Sequence, residues 1–404
     1  MTILKIAWRN IWRHRLRSIA IIVSVGFGLW AGLFIKGYMN GLVEQRLNSV
    51  ITGELSHLQI HHPQFREDYD LKYHISGASG IISGISRDKR VKAVSGRLVA
   101  KGMIVSPKVT AGVQINGIEP VAENRVSGIS RKLIEGAFFP DSSRNEILMG
   151  SKLAGKLKVR LNAKVVLTLV DKNNTVTSGA FRVKGIYRTD NAPYDETNVF
   201  VKTSSLFPLT TLTDERNEIA VLLNNGDDLP AIIHSLSNTF SSLEILDWMH
   251  LAPEMNIYVG VLDQSMIIFM GIIMLALAFA IINTMLMAVL ERTSELGVLM
   301  ALGMEKAKIF LMVFYETVLL ILAGLPMGAL AGWLSVSYYG RKGIDLSEHK
   351  EVLASFGFSE RVYPGLNPDD FIIMLELVCL TAILSGLLPA RRALKLTPSE
   401  AIRK

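Results

Sequence analysis

Four long apolar stretches interrupt an otherwise mixed sequence. The most pronounced runs from Ser265 to Leu290, twenty-six residues without a formal charge, with Asn283 and Thr284 inside. At about 1.5 Å per residue a helix of that length exceeds a hydrocarbon core of about 30 Å. Ser18 to Ile35 is likewise uncharged and just long enough to cross. Ile309 to Tyr339 carries Glu316 near its start and small residues at Gly324, Gly328 and Gly332, a spacing that lets helices approach closely. Phe371 to Leu388 completes the set. The expected spans are therefore 18–36, 264–290, 309–339 and 371–389. A cleavable signal peptide is the competing reading of the first. It is set aside because the apolar part is too long and no small-x-small pattern leads into a soluble start.

Between the second and third spans, residues 291–308 form a charged elbow. Leu296, Leu299, Met300 and Gly303 follow the i, i+3, i+4, i+7 pattern of one apolar helical stripe, with Glu291, Arg292, Ser294 and Glu295 off it. A short amphipathic helix at the end of a span would lie along the membrane surface and present its polar face to something soluble. A solvated connecting loop is the plainer alternative.

Residues 37–263 read as a mixed α/β domain. Lys164–Val170 alternates as a strand, and after the turn residues Asp171-Lys172-Asn173-Asn174 the run Phe181–Tyr187 makes a hairpin. Val199–Val201 and Ile219–Leu223 are further strands. Lys152–Leu157 and a segment from Leu229 to Phe240, opened by Asp228 and Pro230, are expected helices.

Charge then orients the chain. Residues 1–17 hold Lys5, Arg9, Arg13, Arg15 and Arg17 and no acid, and with Trp8 and Trp12 they suggest a short interfacial helix. The tail, 390–404, is also basic, with Arg391 and Arg392 beside the last span. Positive charge stays on the cytosolic side, so both termini and the elbow are expected there. The large domain and the loop 340–370 then lie outside, the loop carrying four basic residues and six acidic ones between Arg341 and Asp370. The net charge of +7 sits next to apolar segments and implies no nucleic acid. Cys379 is the single cysteine, so no disulfide can form within the chain.

Candidate chemistry is sparse. No G-x-x-x-x-G-K-[ST] loop occurs, so any ATP and Mg must be bound by another chain. His57 and His61 would share one face of a strand, beside His62, but no third ligand follows at a metal-site spacing, and no metal is expected. No G-x-S-x-G elbow occurs, and no catalytic residue is assigned. Asn283 and Thr284 are expected to bond across helices. For Glu316 an interfacial carboxylate bonded to a neighbouring helix is preferred over a proton or substrate contact. Glu376, similarly close to a membrane boundary, receives no role.

Glu291-Arg292-x-x-Glu295-Leu296-Gly297, then Ala301-x-Gly303, resembles the coupling-helix signature of FtsX-like/MacB-type ABC transporter permeases, with Met300 where Arg or Gln is usual. Ala7-Trp8-Arg9-Asn10-Ile11-Trp12-Arg13 with Arg15-Leu16-Arg17-Ser18 is similar to the basic start of these proteins. The run from Pro389 to Arg403 is similar to their closing P-A-x-x-A…P-x-E-A-[LI]-R motif. Met39-Asn40-Gly41 and His57-Leu58-Gln59-Ile60 resemble the lipoprotein-releasing branch. The hairpin between Val170 and Phe181 is too short for the protruding hook of that branch's carrier-recruiting subunit.

The resemblance implies an α+β membrane protein: four transmembrane helices with a large mixed α/β extracytoplasmic domain, a MacB-like core, between helices 1 and 2. It implies a multi-pass permease of the bacterial inner (cytoplasmic) membrane, not itself an enzyme. Its partners would be an ABC-type ATPase, a second permease copy or relative, membrane lipid, a lipoprotein and a periplasmic carrier. Glu291, Arg292, Glu295, Leu296, Gly297, Leu299, Met300 and Gly303 would couple to the ATPase. Phe27, Phe34, Met39, Met266, Phe269, Met270 and Ile273 would line a groove for acyl chains between the first two spans. Arg9, Arg13, Arg15, Arg17, Arg391 and Arg392 would mark the membrane interface. The alternatives are a mechanotransmitting regulator of an external partner, a macrolide or peptide exporter, and a membrane-anchored assembly protein with no ATPase.

Overall fold

A computed structural model describes residues 2–13, 15–140 and 145–394, so the expected closing motif lies outside the described residues from Lys395 onward. The chain forms two compact units. One draws on the N-terminal segment up to Val43, Val259–Asp345 and the segment from Arg361; the other comprises Glu44–Tyr258 and Leu346–Glu360.

Among the described residues, four helices of the chain are long and apolar enough to cross a membrane. They are Arg15–Val50, Pro253–Glu291, Lys306–Lys342 and Pro368–Leu394, preceded by a short helix Thr2–Arg13. All four outrun the expected spans. Hydropathy reports the apolar part of a helix, and a polar segment free of proline extends a helix already nucleated, which carries the first on from Lys36 to Val50.

The glycine stripe of the third long helix meets the first. A Cβ at Gly324 would stand 2.8 Å from the carbonyl oxygen of Ile22, one at Gly328 would stand 2.9 Å from Cα of Gly26, and one at Gly332 would press on Leu33. Backbone therefore touches backbone there, as small residues at this spacing allow. Trp30 donates from Nε1 to Oγ of Ser335 across the same contact, at 2.9 Å. The second long helix packs differently. It turns Met266, Met270, Met274, Leu277, Ile281 and Met285 into the bundle core, with Leu277 against Gly28 and Met270 against Gly32. Asn40 and Lys36 tie the first helix to Asp370 at the start of the fourth, at 2.6 and 3.4 Å.

Among its described residues the second unit contains ten strands: β1 (Leu58–His61), β2 (Val91–Val105), β3 (Thr110–Ile118), β4 (Leu133–Gly136), β5 (Glu146–Gly150), β6 (Lys164–Val170), β7 (Val176–Tyr187), β8 (Asn198–Lys202), β9 (Glu218–Leu223) and β10 (Glu244–Asp247). The order β10-β1-β9-β2, antiparallel throughout, takes only the first part of β2, Val91–Arg97. With helices Ala78–Ile85 and Leu229–Thr239 this is a β-α-β-β-α-β lobe. Its core joins Leu58, Ile60, Val94, Ile219 and Val221 to Ile85 and Ile232.

From Leu98 the same strand β2 enters a different sheet. There the pairing runs β2-β3-β8-β5-β7-β6 and returns to β2, a closed ring of six strands with β4 added outside β7. Closure leaves no free edge. Ile104, Ile115, Val165, Leu167, Val183 and Val199 fill its interior. The alternation expected for Lys164–Val170 points Val165, Leu167 and Leu169 inward, and the hairpin closes over Asp171–Thr175, whose backbone amides bond the Asp171 carboxylate.

Candidate functional site: the elbow

The second long helix stops at Glu291 because Arg292 leaves the helical region (φ −104°, ψ 17°), and a new helix runs from Thr293 to Ala301. Its far end is closed by two crossing bonds, Met304 N to Leu299 O and Gly303 N to Met300 O, both 3.0 Å. Gly303 sits at φ +92°, a conformation that glycine adopts without penalty.

Around this short helix the charges form one connected set. Arg292 Nη1 donates to Glu316 Oε2 and its Nε to Glu295 Oε2, each at 3.2 Å. Glu295 also pairs with Arg13 at 2.8 Å, and Glu291 with Arg17. Leu296 and Gly297 are buried, and Leu299 and Met300 half-buried. A void of about 10 Å³ between Leu296, Arg292, Val313 and Glu316 has room for no more than one water.

The charges of the expected polar face are therefore paired within the chain. Arg292 is buried, and Glu291 and Glu295 are held by arginines of the chain's own N-terminal segment. The face left open consists of Ser294, Val298, Ala301, Leu302 and Gly303, with Val298 48% and Leu302 79% exposed. Glu316 bonds to the elbow arginine in the way anticipated for an interfacial carboxylate. Arg9, Arg15, Arg391 and Arg392 are exposed, whereas Arg13 and Arg17 belong to the elbow network.

The seven residues assigned to an acyl groove do not share one. Phe27 and Phe269 are exposed, at 62% and 45%. Phe34 stacks on Trp30 and meets Tyr339 of the third long helix edge-on. Met266 and Met270 are buried in the bundle core, with Met39 and Ile273 packed against it. Helical spacing places residues on one side of a span but does not say which neighbour covers that side.

The histidines separate too. His57 precedes β1 and accepts from Leu223 N at 3.2 Å, while His61 is buried beside Glu218.

Residues 18–239 match the MacB-like periplasmic core domain, more than half of the chain, and 267–398 match the FtsX-like permease C-terminal domain. The chain belongs to the FtsX-like, MacB-type ABC transporter permeases. The permease is 22% identical over 404 residues to the lipoprotein-releasing system transmembrane protein LolC of Neisseria meningitidis, covering 95% of this chain and 92% of that one. An ABC transporter permease of Methanocaldococcus jannaschii is 25% identical over 276 residues, 67% of this chain but only 65% of the relative. The macrolide export ATP-binding/permease protein MacB of Chlorobium luteolum is 32% identical over 123 residues, 30% of this chain and 16% of that one. Members of the family are membrane components that work with an ATPase subunit, and the permease is a multi-pass membrane protein with a MacB-like mixed α/β domain.

The elbow network escaped sequence analysis although a signal existed. Positive-inside logic puts the acid-free N-terminal segment and the charged elbow on one side of the membrane, where Arg13 and Arg17 are natural partners for Glu295 and Glu291.

Proposed function

We propose that the permease transmits ATP hydrolysis by a separate ATPase subunit to the extraction of a lipophilic substrate, with lipoprotein release from the inner membrane as the specific task. Both termini and the elbow lie on the cytosolic side in this reading, and the MacB-like domain is periplasmic. The elbow carries the proposal. A short helix fixed at both ends, ion-paired to the N-terminal segment and to the third long helix, moves these elements together when pushed. ATP does work through it only if ATP binds one arrangement of the ATPase pair better than the other. The contact surface is the open face at Val298 and Leu302. The charged residues Glu291, Arg292 and Glu295 act behind it as bracing.

Lipoprotein release is supported by the LolC likeness over nearly the full length of both chains. Each methylene drawn from a bilayer into water costs about 0.8 kcal/mol, so a multi-chain anchor leaves the membrane only with a driving step. The local likeness to MacB favours export of a macrolide or peptide as the second reading.

The test is purification of the full-length permease from its native membrane. An ATPase in equal amount, lost in Val298→Asp with Leu302→Asp while the permease remains folded, supports coupling through the open face. Acylated protein identified in that complex by mass spectrometry selects lipoprotein release. Absence of any ATPase removes both transport readings.

A further inference from the structure

The first long helix does not pass straight into β1. After Val50 it widens into a π-turn over Ile51–Leu55, closed by the bond from Ser56 N to Ile51 O, five residues back, at 2.8 Å. Ser56 then takes φ +74° and ψ 175°, a region that belongs essentially to glycine. Its side chain is no better placed. Ser56 is 1% exposed, and among the described residues its hydroxyl has no hydrogen-bond partner. Two loads, one on the backbone and one on the hydroxyl, thus fall on a single residue between a helix and a sheet.

Neighbouring bonds hold this arrangement from both sides. Glu54 accepts from Asn191 Nδ2 on both carboxylate oxygens, at 3.0 and 3.1 Å, and its carbonyl oxygen accepts from Arg97 Nη1 at 3.3 Å. Arg97 is itself fixed by Glu123, through Nε at 2.9 Å and Nη2 at 2.8 Å, and by Glu218, through Nη1 at 2.8 Å. Burial by itself would raise the Glu218 carboxyl, but the hydrogen bond from His61 and the Arg97 charge hold it at about 2, so it stays ionised. Gln59 Nε2 donates to Leu55 O at 2.8 Å. Beyond Ser56 the backbone is in register at once: Trp248 N donates to His57 O at 3.1 Å, and Leu58 faces Asp247 on one side and Val221 on the other. A strained residue persists where its surroundings over-determine it in this way.

We propose that residues 51–56 form a preloaded hinge. When the bonds to Glu54 and Leu55 yield, the π-turn rewinds to an α-turn. Ser56 moves to negative φ, its amide passes from Ile51 O to Thr52 O, and its hydroxyl bonds the same carbonyl, four residues back. The strained arrangement keeps the side-chain bonds to Glu54 and Leu55, and the rewound one has a relaxed backbone and a satisfied hydroxyl. Each keeps what the other gives up, so a pull on the helix can bias the pair. Rewinding turns the end of the first long helix about its own axis against β1. The hinge is a property of this chain alone and stands or falls separately from the transport reading.

The test is hydrogen–deuterium exchange, read by mass spectrometry, on the full-length permease in lipid nanodiscs. Ser56→Gly removes both loads and is expected to slow exchange of amides 52–56 by at least about fivefold. Ser56→Ala removes only the hydroxyl and is expected to slow them less. A glycine placed where no strain exists loosens the chain, so the sign of the change decides. Rewinding itself is read by electron–electron distance measurement between spin labels at Asn48 and Lys92, both exposed. Glu54→Ala is expected to add a second, discrete distance, and adding Ser56→Gly to it should remove that distance. Exchange unchanged or faster in Ser56→Gly, equal slowing in Ser56→Ala, or a single unshifted distance in Glu54→Ala overturns the proposal.

Discussion

The guanidinium of Arg292 lies 3.2 Å from the carboxylate of Glu316, and both side chains are nearly sealed from solvent, at 10% and 8% exposure. Neither position is near the other in sequence, yet the pair fastens the elbow to the third long helix. Removing one partner leaves a buried charge unmet, which costs about 3–5 kcal/mol. Arg292→Met is therefore expected to lower the thermal unfolding temperature of the detergent-solubilised permease sharply. The double variant Arg292→Met with Glu316→Leu should recover most of the loss, since two apolar groups of similar size restore the match.

The Arg17–Glu291 and Arg13–Glu295 pairs are more open, and each is expected to add less than about 1 kcal/mol to stability. Their effect should appear in coupling. Glu291→Arg is expected to reduce permease-stimulated ATP hydrolysis in a reconstituted complex, and adding Arg17→Glu should restore it. Hydrolysis that stays low in the swapped pair would mean that Glu291 acts through a contact other than Arg17.

Gly328 and Gly271 make a matched comparison within the bundle. A side chain at 328 meets the backbone of Gly26, whereas a Cβ at 271 meets nothing within 4 Å. Gly328→Leu is expected to destabilise by about 1–3 kcal/mol or more as two helices are forced apart. Gly271→Leu should leave the unfolding temperature close to that of the parent protein.

The second unit carries its own pH dependence. Asp195 is 1% exposed, and burial pushes its carboxyl up from 3.8 to about 6 against the hydrogen bonds from the Thr189 amide and hydroxyl. A carboxyl raised on folding supports the fold most below its ordinary value, so this contribution is lost as pH rises from 3.8 to about 6. Glu218 has the opposite sign: its contribution is complete above 4.5 and is lost as pH falls towards 2. Hydrogen exchange of the strands around Asp195 is expected to show a loss of roughly 3 kcal/mol across the upper window. Asp195→Asn should flatten that limb and leave the acid limb in place.

The spans were legible because a bilayer imposes length and hydropathy on any helix that crosses it, whereas Gly303, grouped by its spacing with the apolar stripe of the elbow, lies past the end of that helix. Orientation around the elbow was not legible. Periodicity groups Leu296 with Leu299 and Met300, but only packing shows that Arg292 turns towards Glu316 and leaves Val298 and Leu302 open. In the second unit, the alternation of Val165, Leu167 and Leu169 identified β6. The central run of β2 is buried on both sides from Ala93 to Ala100, so no alternation marks where one sheet ends and the next begins. Arg97, Glu123 and Glu218 meet there from separate parts of the chain, and no spacing rule connects them.

The two seams of the helix bundle differ in what they permit. Along the glycine seam, a shift of even part of a turn drives Cα atoms into carbonyl oxygens, so the first and third long helices travel as one plate. The thioether chains of Met266, Met270, Met274 and Met285 re-form contacts at many offsets because they bend without branching. Slippage against the first and third long helices is thereby open to the second, the helix whose C-terminal end carries the elbow.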